Sequence, residues 1–289
     1  MWIAATLIAA LAQTGRNAAQ AGLTSRLGTM GATGVRFLFG LPFAVLFLAL
    51  VAAVQQVPPV NLSAVGYAAM GALSQVAATA LMLTAMQRRG FAQATALIKT
   101  EPVTLAILGA VLLGEALTPA RMGAIAVATA GVLMMSGTGW RRAGLGPVAL
   151  AVAAGGLFGL SAIGFRGGIL SLESGGLIVR ATTILVVSLA LQTALVGAWL
   201  ALRDRAALRG MVLAWRESLG AGFLGALASQ FWFIAFALTP AANVRTLALA
   251  EVVFAAAVSR RRNEAMTARH IAGMALIATG VAWLLWTTR

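Results

Sequence analysis

The sequence is poor in the residues that carry most catalytic and metal chemistry. It contains no cysteine, a single histidine and seven acidic residues in 289. No disulfide and no thiolate ligand can form, and one histidine cannot build a His/Cys metal cage. The HExxH and GxSxG motifs and a phosphate-binding glycine loop are also missing. We therefore predict no metal, no cofactor and no enzymatic activity.

Charge is also scarce, and apolar residues dominate. Charged residues make up 10% of the sequence and hydrophobic residues 61%, and the mean hydropathy is +0.93. This composition is too apolar for an ordinary soluble domain. The apolar residues form stretches of about 20, the length that spans a hydrocarbon core as a helix. The sequence thus predicts an all-α integral membrane protein.

Short breaks of Arg, Gly, Pro and Asn divide the apolar stretches into ten predicted transmembrane helices. The clearest breaks are the short hairpins RRG at Arg88 and LTPAA at Leu238. The predicted spans are 2–20, 31–54, 62–86, 91–113, 119–136, 146–165, 175–200, 219–238, 242–258 and 267–286. The first span begins without a basic segment, so we interpret it as a helix and not as a signal peptide.

The two halves of the chain resemble each other, which predicts two five-helix repeats over residues 1–139 and 145–288. Arg36 and Arg180 each begin the second helix of a half, where we expect them to snorkel to the interface in a shared structural role. GALSQ at Gly71 corresponds to GALASQ at Gly225. An odd number of spans per repeat means that the second copy enters the membrane inverted. Further matched pairs are Glu101 with Glu251, Glu115 with Glu264, Thr118 with Thr267, Gly123 with Gly273, and Gly131 with Gly280.

Arginines mark the predicted orientation. They concentrate in the loops that follow helices 1, 3, 5, 7 and 9. Because basic loops stay in the cytoplasm, we predict that both termini lie outside. Membrane orientation also accounts for the formal net charge of +14, so we predict no nucleic-acid partner.

The fourth and fifth spans carry a familiar pattern: an alanine-rich helix with Glu101-Pro102, then GEALT at 114–118, then a glycine-containing helix ending in AGV. With its two halves, the chain resembles the drug/metabolite transporter superfamily, EamA type, over nearly its whole length. The resemblance implies a secondary transporter of small metabolites. Similarity to the YddG-type exporters implies export of aromatic and other neutral amino acids across the bacterial inner membrane.

The second half departs from this pattern, with Val252 at the position of Pro102 and Asn263 at the position of Gly114. Pro102 is therefore a hinge candidate in the first half alone. Other functions remain open: export of another metabolite or a drug in the same fold, a channel, or a membrane scaffold. The expected partners are a small-molecule substrate and membrane lipid, and the paired repeat is compatible with a monomer.

Four charged residues inside predicted spans are candidates for the substrate or proton site: Lys99, Glu101, Arg245 and Glu251. A charge at this depth is costly unless it faces a cavity or a partner. Lys99 and Glu101 are two residues apart, so they point about 200° from each other on a helix and each needs a partner elsewhere. Ion pairing within the protein explains Arg245 and Glu251 as well as a functional role does.

Uncharged polar and aromatic side chains complete the candidate site. Gln13 and Asn17 share a helix face with Gln20, and Gln75 and Gln230 come from the two matching motifs. Amides can bind a carboxylate and an ammonium group, or they can hold helices together. Trp232, Phe233 and Phe236 form an aromatic group. Its rings either form a wall for an apolar side chain or a cation of the substrate, or they face lipid or pack in the protein.

Overall fold

The computed structural model describes residues 1–89, 98–135, 145–250 and 267–288. Over these residues the chain folds into helices joined by short turns, and no strand occurs. The helices are α1 (Trp2–Leu38), α2 (Leu41–Ala52), α3 (Leu62–Arg89), α4 (Glu101–Leu113), α5 (Pro119–Met135), α6 (Leu145–Leu170), α7 (Leu177–Arg203), α8 (Arg205–Leu213), α9 (Trp215–Leu238), α10 (Ala241–Ala248) and α11 (Ala268–Thr287).

Among the residues that the structure describes, six stretches of helix are long and apolar enough to cross a membrane: Arg26–Ala52, Leu62–Met82, Ala149–Leu170, Leu177–Arg203, Trp215–Leu238 and Ala268–Thr287. Two shorter apolar helices are Glu101–Leu113 and Pro119–Met135. The expected all-helical, multi-pass character is therefore confirmed. The count of ten spans and the inverted repeat stay predictions.

The loop predicted between the first two spans is largely helical in the structure. The sequence predicted a break over residues 21–30, whereas α1 continues to Leu38 and leaves the helical conformation at Gly28, with φ 67 and ψ 176. Leu23 and Leu27 are buried in this stretch, so packing keeps it helical despite its polar composition. Glycine adopts positive φ at little steric cost, so a single residue turns the chain.

The fourth span is not one continuous helix as predicted. Lys99 and Thr100 form a turn, and α4 begins at Glu101. Pro102 lies in the first helical turn, where the missing N–H would have no partner within the helix. A proline also disfavours helical geometry at the residue before it. The Glu101-Pro102 pair therefore marks a helix start, and the hinge role of Pro102 stays a prediction.

The corresponding part of the second half also contains a turn. α10 ends at Ala248, and Leu249 forms a turn after it. Leu249 lies 150 residues after Lys99, the same offset that separates Glu101 from Glu251. Residues 251–266 lie outside the described part of the chain, so the bounds of the ninth span stay a prediction.

By packing, the chain divides into two compact units, each built from two segments. Unit 1 contains Met1–Ala80 and Gly164–Thr239, and unit 2 contains Leu81–Ile163 and Pro240–Arg289. Within unit 1, α1 packs most extensively against α9, and within unit 2, α5 packs against α11. Each unit thus combines segments from both predicted repeats.

Glycine allows the helices of unit 2 to approach closely. A Cβ placed on Gly131 would lie 2.6 Å from the carbonyl oxygen of Gly273, and one on Gly280 would lie 2.7 Å from the carbonyl oxygen of Ala124. Small residues at such crossings let backbones meet, which is typical of membrane helices. Gly131, late in α5, meets Gly273, early in α11, whereas Ala124, early in α5, meets Gly280, late in α11. The two helices are therefore antiparallel.

Candidate functional site

A buried ion pair joins two of the predicted site residues in unit 2. The Oε1 atom of Glu101, at the start of α4, lies 3.2 Å from the Nε atom of Arg245 on α10. The two side chains are 9% and 14% exposed. Lys99 lies half-buried in the turn before α4. Glu251, the fourth charged candidate, lies outside the described residues.

Local structure explains why a carboxylate stands at this position. Glu101 is the first residue of α4, and Pro102 follows it. The first turn of a helix carries the positive end of the helix dipole, which favours a carboxylate. Arg245 lies in the last turn of α10, where the dipole favours a cation. Each charge is thus placed at the helix end that stabilises it, and α4 and α10 pack together.

The chemistry of this group follows from its charges. Desolvation of a buried ion pair is costly, so losing one partner leaves an uncompensated charge in an apolar region. Protonation of Glu101 would remove its attraction for Arg245, and an anion from outside could compete with Glu101 for the guanidinium group. Such a pair can therefore be opened by a proton or by an anionic group.

In unit 1, the glutamines of the two matching motifs, Gln75 and Gln230, form hydrogen bonds with the same helix, α7. The Oε1 atom of Gln75 on α3 accepts a hydrogen bond of 2.8 Å from Gln192, and the Nε2 atom of Gln230 on α9 donates one of 2.7 Å to Thr182. Gln192 and Thr182 both belong to α7 and are buried. The prediction did not include either residue. Gln192 was detectable as a lone amide in an apolar run, whereas Thr182 gave no such signal.

The polar face of α1 also meets α9. Gln13 accepts a hydrogen bond of 3.1 Å from the indole nitrogen of Trp232. Gln20 donates one of 2.8 Å to the carbonyl oxygen of Ala32, beyond the break at Gly28. The side chain of Asn17 lies outside the described residues. In the structure, then, both described amides of this face bind other parts of the protein.

Three aromatic residues near the C-terminal end of α9 pack inside unit 1. Trp232, Phe233 and Phe236 are each less than 5% exposed. The rings of Phe165 and Phe233 stack with centroids 4.6 Å apart, and the guanidinium group of Arg166 donates to the carbonyl oxygen of Phe236. The prediction left a substrate wall, a lipid-facing position and packing as alternatives; the burial of the three rings argues against a lipid-facing position, and a role of Trp232 toward substrate stays a prediction.

Two arginines of α1 are buried, which the sequence interpretation missed. Arg16 is 4% exposed and Arg36 is 7% exposed. The Cδ atom of Arg16 and the Cγ atom of Arg36 each lie 3.4 Å from the point where a Cβ of Gly225 would stand. The expectation that Arg36 snorkels to the interface was therefore wrong, because its side chain packs against α9. Its matched residue Arg180 is half-buried and donates 2.7 Å to the carbonyl oxygen of Leu172.

Comparison with known protein families gives a match in the first half of the chain. Residues 1–137 match the family model of the EamA-like transporter family. Together with the six long apolar helices among the described residues, this match indicates a multi-pass membrane protein whose first half is similar to the EamA-like transporter family. No curated protein matches the sequence.

A solved structure shares the fold over nearly the full chain. One crystal structure covers 98% of this chain and 99% of its own, with a TM-score of 0.68 and 18% sequence identity. At this identity the likeness establishes a common fold. It leaves the substrate and the direction of transport to be argued from the residues.

Proposed function

We propose that this chain is a secondary transporter that exports small metabolites, specifically aromatic and other neutral amino acids, across the bacterial inner membrane. The observation that carries the proposal is the buried Glu101–Arg245 pair beside Lys99, in a chain whose first 137 residues match a transporter family. Ionisable groups inside a membrane are expensive and mark substrate or ion pathways.

The proposed mechanism is alternating access by two inverted repeats, residues 1–139 and 145–288. The antiparallel contact between α5 and α11 supports it, because the matched glycines Gly131 and Gly280 both take part. The turns at Lys99 and Leu249 support it as well. Transporters of this kind use discontinuous helices near the substrate.

The proposed energy source is an ion or substrate gradient, because the sequence has no nucleotide-binding motif. In this proposal Glu101 carries a proton and opens its pair with Arg245 when protonated. Lys99 and Arg245 supply positive charge for a substrate carboxylate. Uncoupled export by the same site is the alternative, and imposing a pH gradient on loaded liposomes distinguishes the two.

The decisive experiment is counterflow in liposomes that contain the purified protein. A labelled panel that includes phenylalanine, threonine and methionine is offered against unlabelled substrate inside. Saturable exchange of neutral or aromatic amino acids supports the proposal. Transport without saturation or counterflow indicates a channel, and no exchange with any amino acid moves the substrate to another metabolite or a drug.

Site variants test the residues separately from the substrate. We expect Lys99→Ala and Glu101→Gln to lower the exchange rate or change substrate preference. Glu217→Gln is the matched control, because this carboxylate is 58% exposed at the start of α9. Unchanged exchange in both site variants would contradict the assignment.

The orientation has its own test. The absence of native cysteine allows single cysteines to be introduced at Ala143 and Val60. An impermeant maleimide added to intact cells should label the cysteine at Val60 and leave the one at Ala143 unlabelled. The reverse pattern would show that the termini face the cytoplasm.

A further inference from the structure

The short helix α8 has one face that packs on the protein. Its buried residues are Ala207 and Met211, which are four residues apart. A Cβ placed on Gly31 would lie 3.2 Å from the Cβ of Ala207, and one on Gly34 would lie 3.5 Å from the Sδ of Met211. The helix is thus held against α1 within unit 1.

The opposite face of α8 carries basic and apolar residues together. Arg205 and Arg209 are four residues apart and exposed, so they lie on one side of the helix. Val212, at the next turn on that side, is 67% exposed, and Leu213 is 83% exposed. At 100° per residue, this group lies roughly opposite Ala207 and Met211.

The flanking residues extend the same surface. Arg203 and Arg216 are exposed, and Leu202 and Trp215 are 79% and 50% exposed. We call the set Leu202, Arg203, Arg205, Arg209, Val212, Leu213, Trp215 and Arg216 the α8 surface.

The acidic residues next to the α8 surface are engaged locally. Asp204 caps α8 and accepts a hydrogen bond of 3.0 Å from the backbone of Ala207. Glu217 lies 3.6 Å from Arg26. With four arginines against these two carboxylates, the surface has a net positive charge.

We propose that the α8 surface binds the headgroups of anionic phospholipids at one face of the membrane. Guanidinium groups bind phosphate through paired hydrogen bonds. Arginine suits the headgroup layer because its apolar stem lies along the acyl chains while its charged end stays in water. Tryptophan suits it because its ring is amphipathic. Val212, Leu213 and Trp215 enter the acyl boundary, as in other interfacial helices. This inference is independent of what the protein transports.

Lipid-dependent stability tests the basic part of the surface. The unfolding temperature is measured in nanodiscs of phosphatidylcholine and in nanodiscs that also contain phosphatidylglycerol. We expect a higher temperature with phosphatidylglycerol, and we expect Arg205→Gln/Arg209→Gln to lose more than half of that increase. High salt should weaken the increase, and inorganic phosphate added to the phosphatidylcholine sample should not reproduce it.

The matched control is Arg121→Gln/Arg269→Gln. These two arginines of unit 2 donate to the carbonyl oxygens of Ala116 and Met134, just as Arg205 of the test variant donates to the carbonyl oxygen of Ala201. For each variant, we compare the difference in unfolding temperature between the two lipid mixtures. A loss of stability that is the same in both mixtures does not change this difference. An equal loss of the lipid effect in the control, or no loss in the test variant, would overturn the proposal.

Membrane depth tests the apolar part. A fluorophore on Leu213→Cys is compared with one on Glu173→Cys, an exposed position between α6 and α7. Nitroxide lipids labelled near the headgroup should quench the fluorophore at position 213 more strongly. Equal quenching at the two positions would show that α8 does not enter the membrane surface.

Discussion

Unit 1 and unit 2 both bury polar side chains among apolar helices, but they use different chemistry to join the candidate residues. In unit 1, Gln75 bonds to Gln192 and Gln230 bonds to Thr182. In unit 2, the carboxylate of Glu101 lies against the guanidinium group of Arg245. Neutral pairs hold helices without responding to pH or to an anion, whereas an ion pair can be opened by either. We therefore interpret the neutral pairs as structural and the charged pair as the part that changes during transport.

The largest expected effect comes from removing one charge of the unit 2 pair. Arg245→Leu leaves the Glu101 carboxylate buried without its guanidinium partner, so we expect a loss of about 3–5 kcal/mol in the free energy of unfolding. Titration of the purified protein with a denaturing detergent measures this loss in the free energy of unfolding. The double variant Glu101→Leu/Arg245→Leu should regain most of that stability while transport stays impaired. A double variant as unstable as the single one would show that the pair is not coupled.

A smaller effect is expected from the amide pair of unit 1. Gln192→Leu leaves the buried amide of Gln75 without its hydrogen-bond donor, which costs about 1–3 kcal/mol. Gln75→Leu/Gln192→Leu removes both polar groups, and it should be more stable than either single variant and should still transport. If the double variant folds but does not transport, the division between structural and functional pairs is wrong.

The smallest effect is expected at the contact between α1 and α9. Gln13→Leu removes the acceptor of the Trp232 indole hydrogen bond, for an expected loss of about 1 kcal/mol. Gln13→Glu keeps an acceptor oxygen and should recover the indole hydrogen bond, which is detected by the exchange rate of the indole proton. An unchanged exchange rate in Gln13→Leu would mean that this bond does not protect the indole.

The sequence predicted helices well where composition changes sharply. The third span was predicted to begin at 62 and the eighth to end at 238, and α3 and α9 do so at Leu62 and Leu238. Pro58 and Pro59 precede the first of these boundaries, and Pro240 follows the second. The short helix α8 was missed because its arginines resemble a loop, and its helical period becomes visible only when Ala207 and Met211 are known to be buried.

The partners of the polar residues were beyond sequence reasoning. Gln75 and Gln192 are 117 residues apart, and the periodicity of a helix gives only the face on which each one lies. Arg36 illustrates the same limit, because its position at a predicted helix start suggested snorkelling, and its burial depends on Gly225 in a distant segment. Glu101 and Arg245 were predicted to need partners, but pairing them required the packing of α4 against α10.

The interleaved units have a consequence for biosynthesis. Unit 1 needs the segment that ends at Thr239, and unit 2 needs the segment that begins at Pro240. The first helices therefore wait in the membrane through most of translation before their packing partners leave the ribosome. We therefore expect much of the packing to form late in translation, and a nascent chain stopped before α11 would leave the glycine face of α5 without its partner helix.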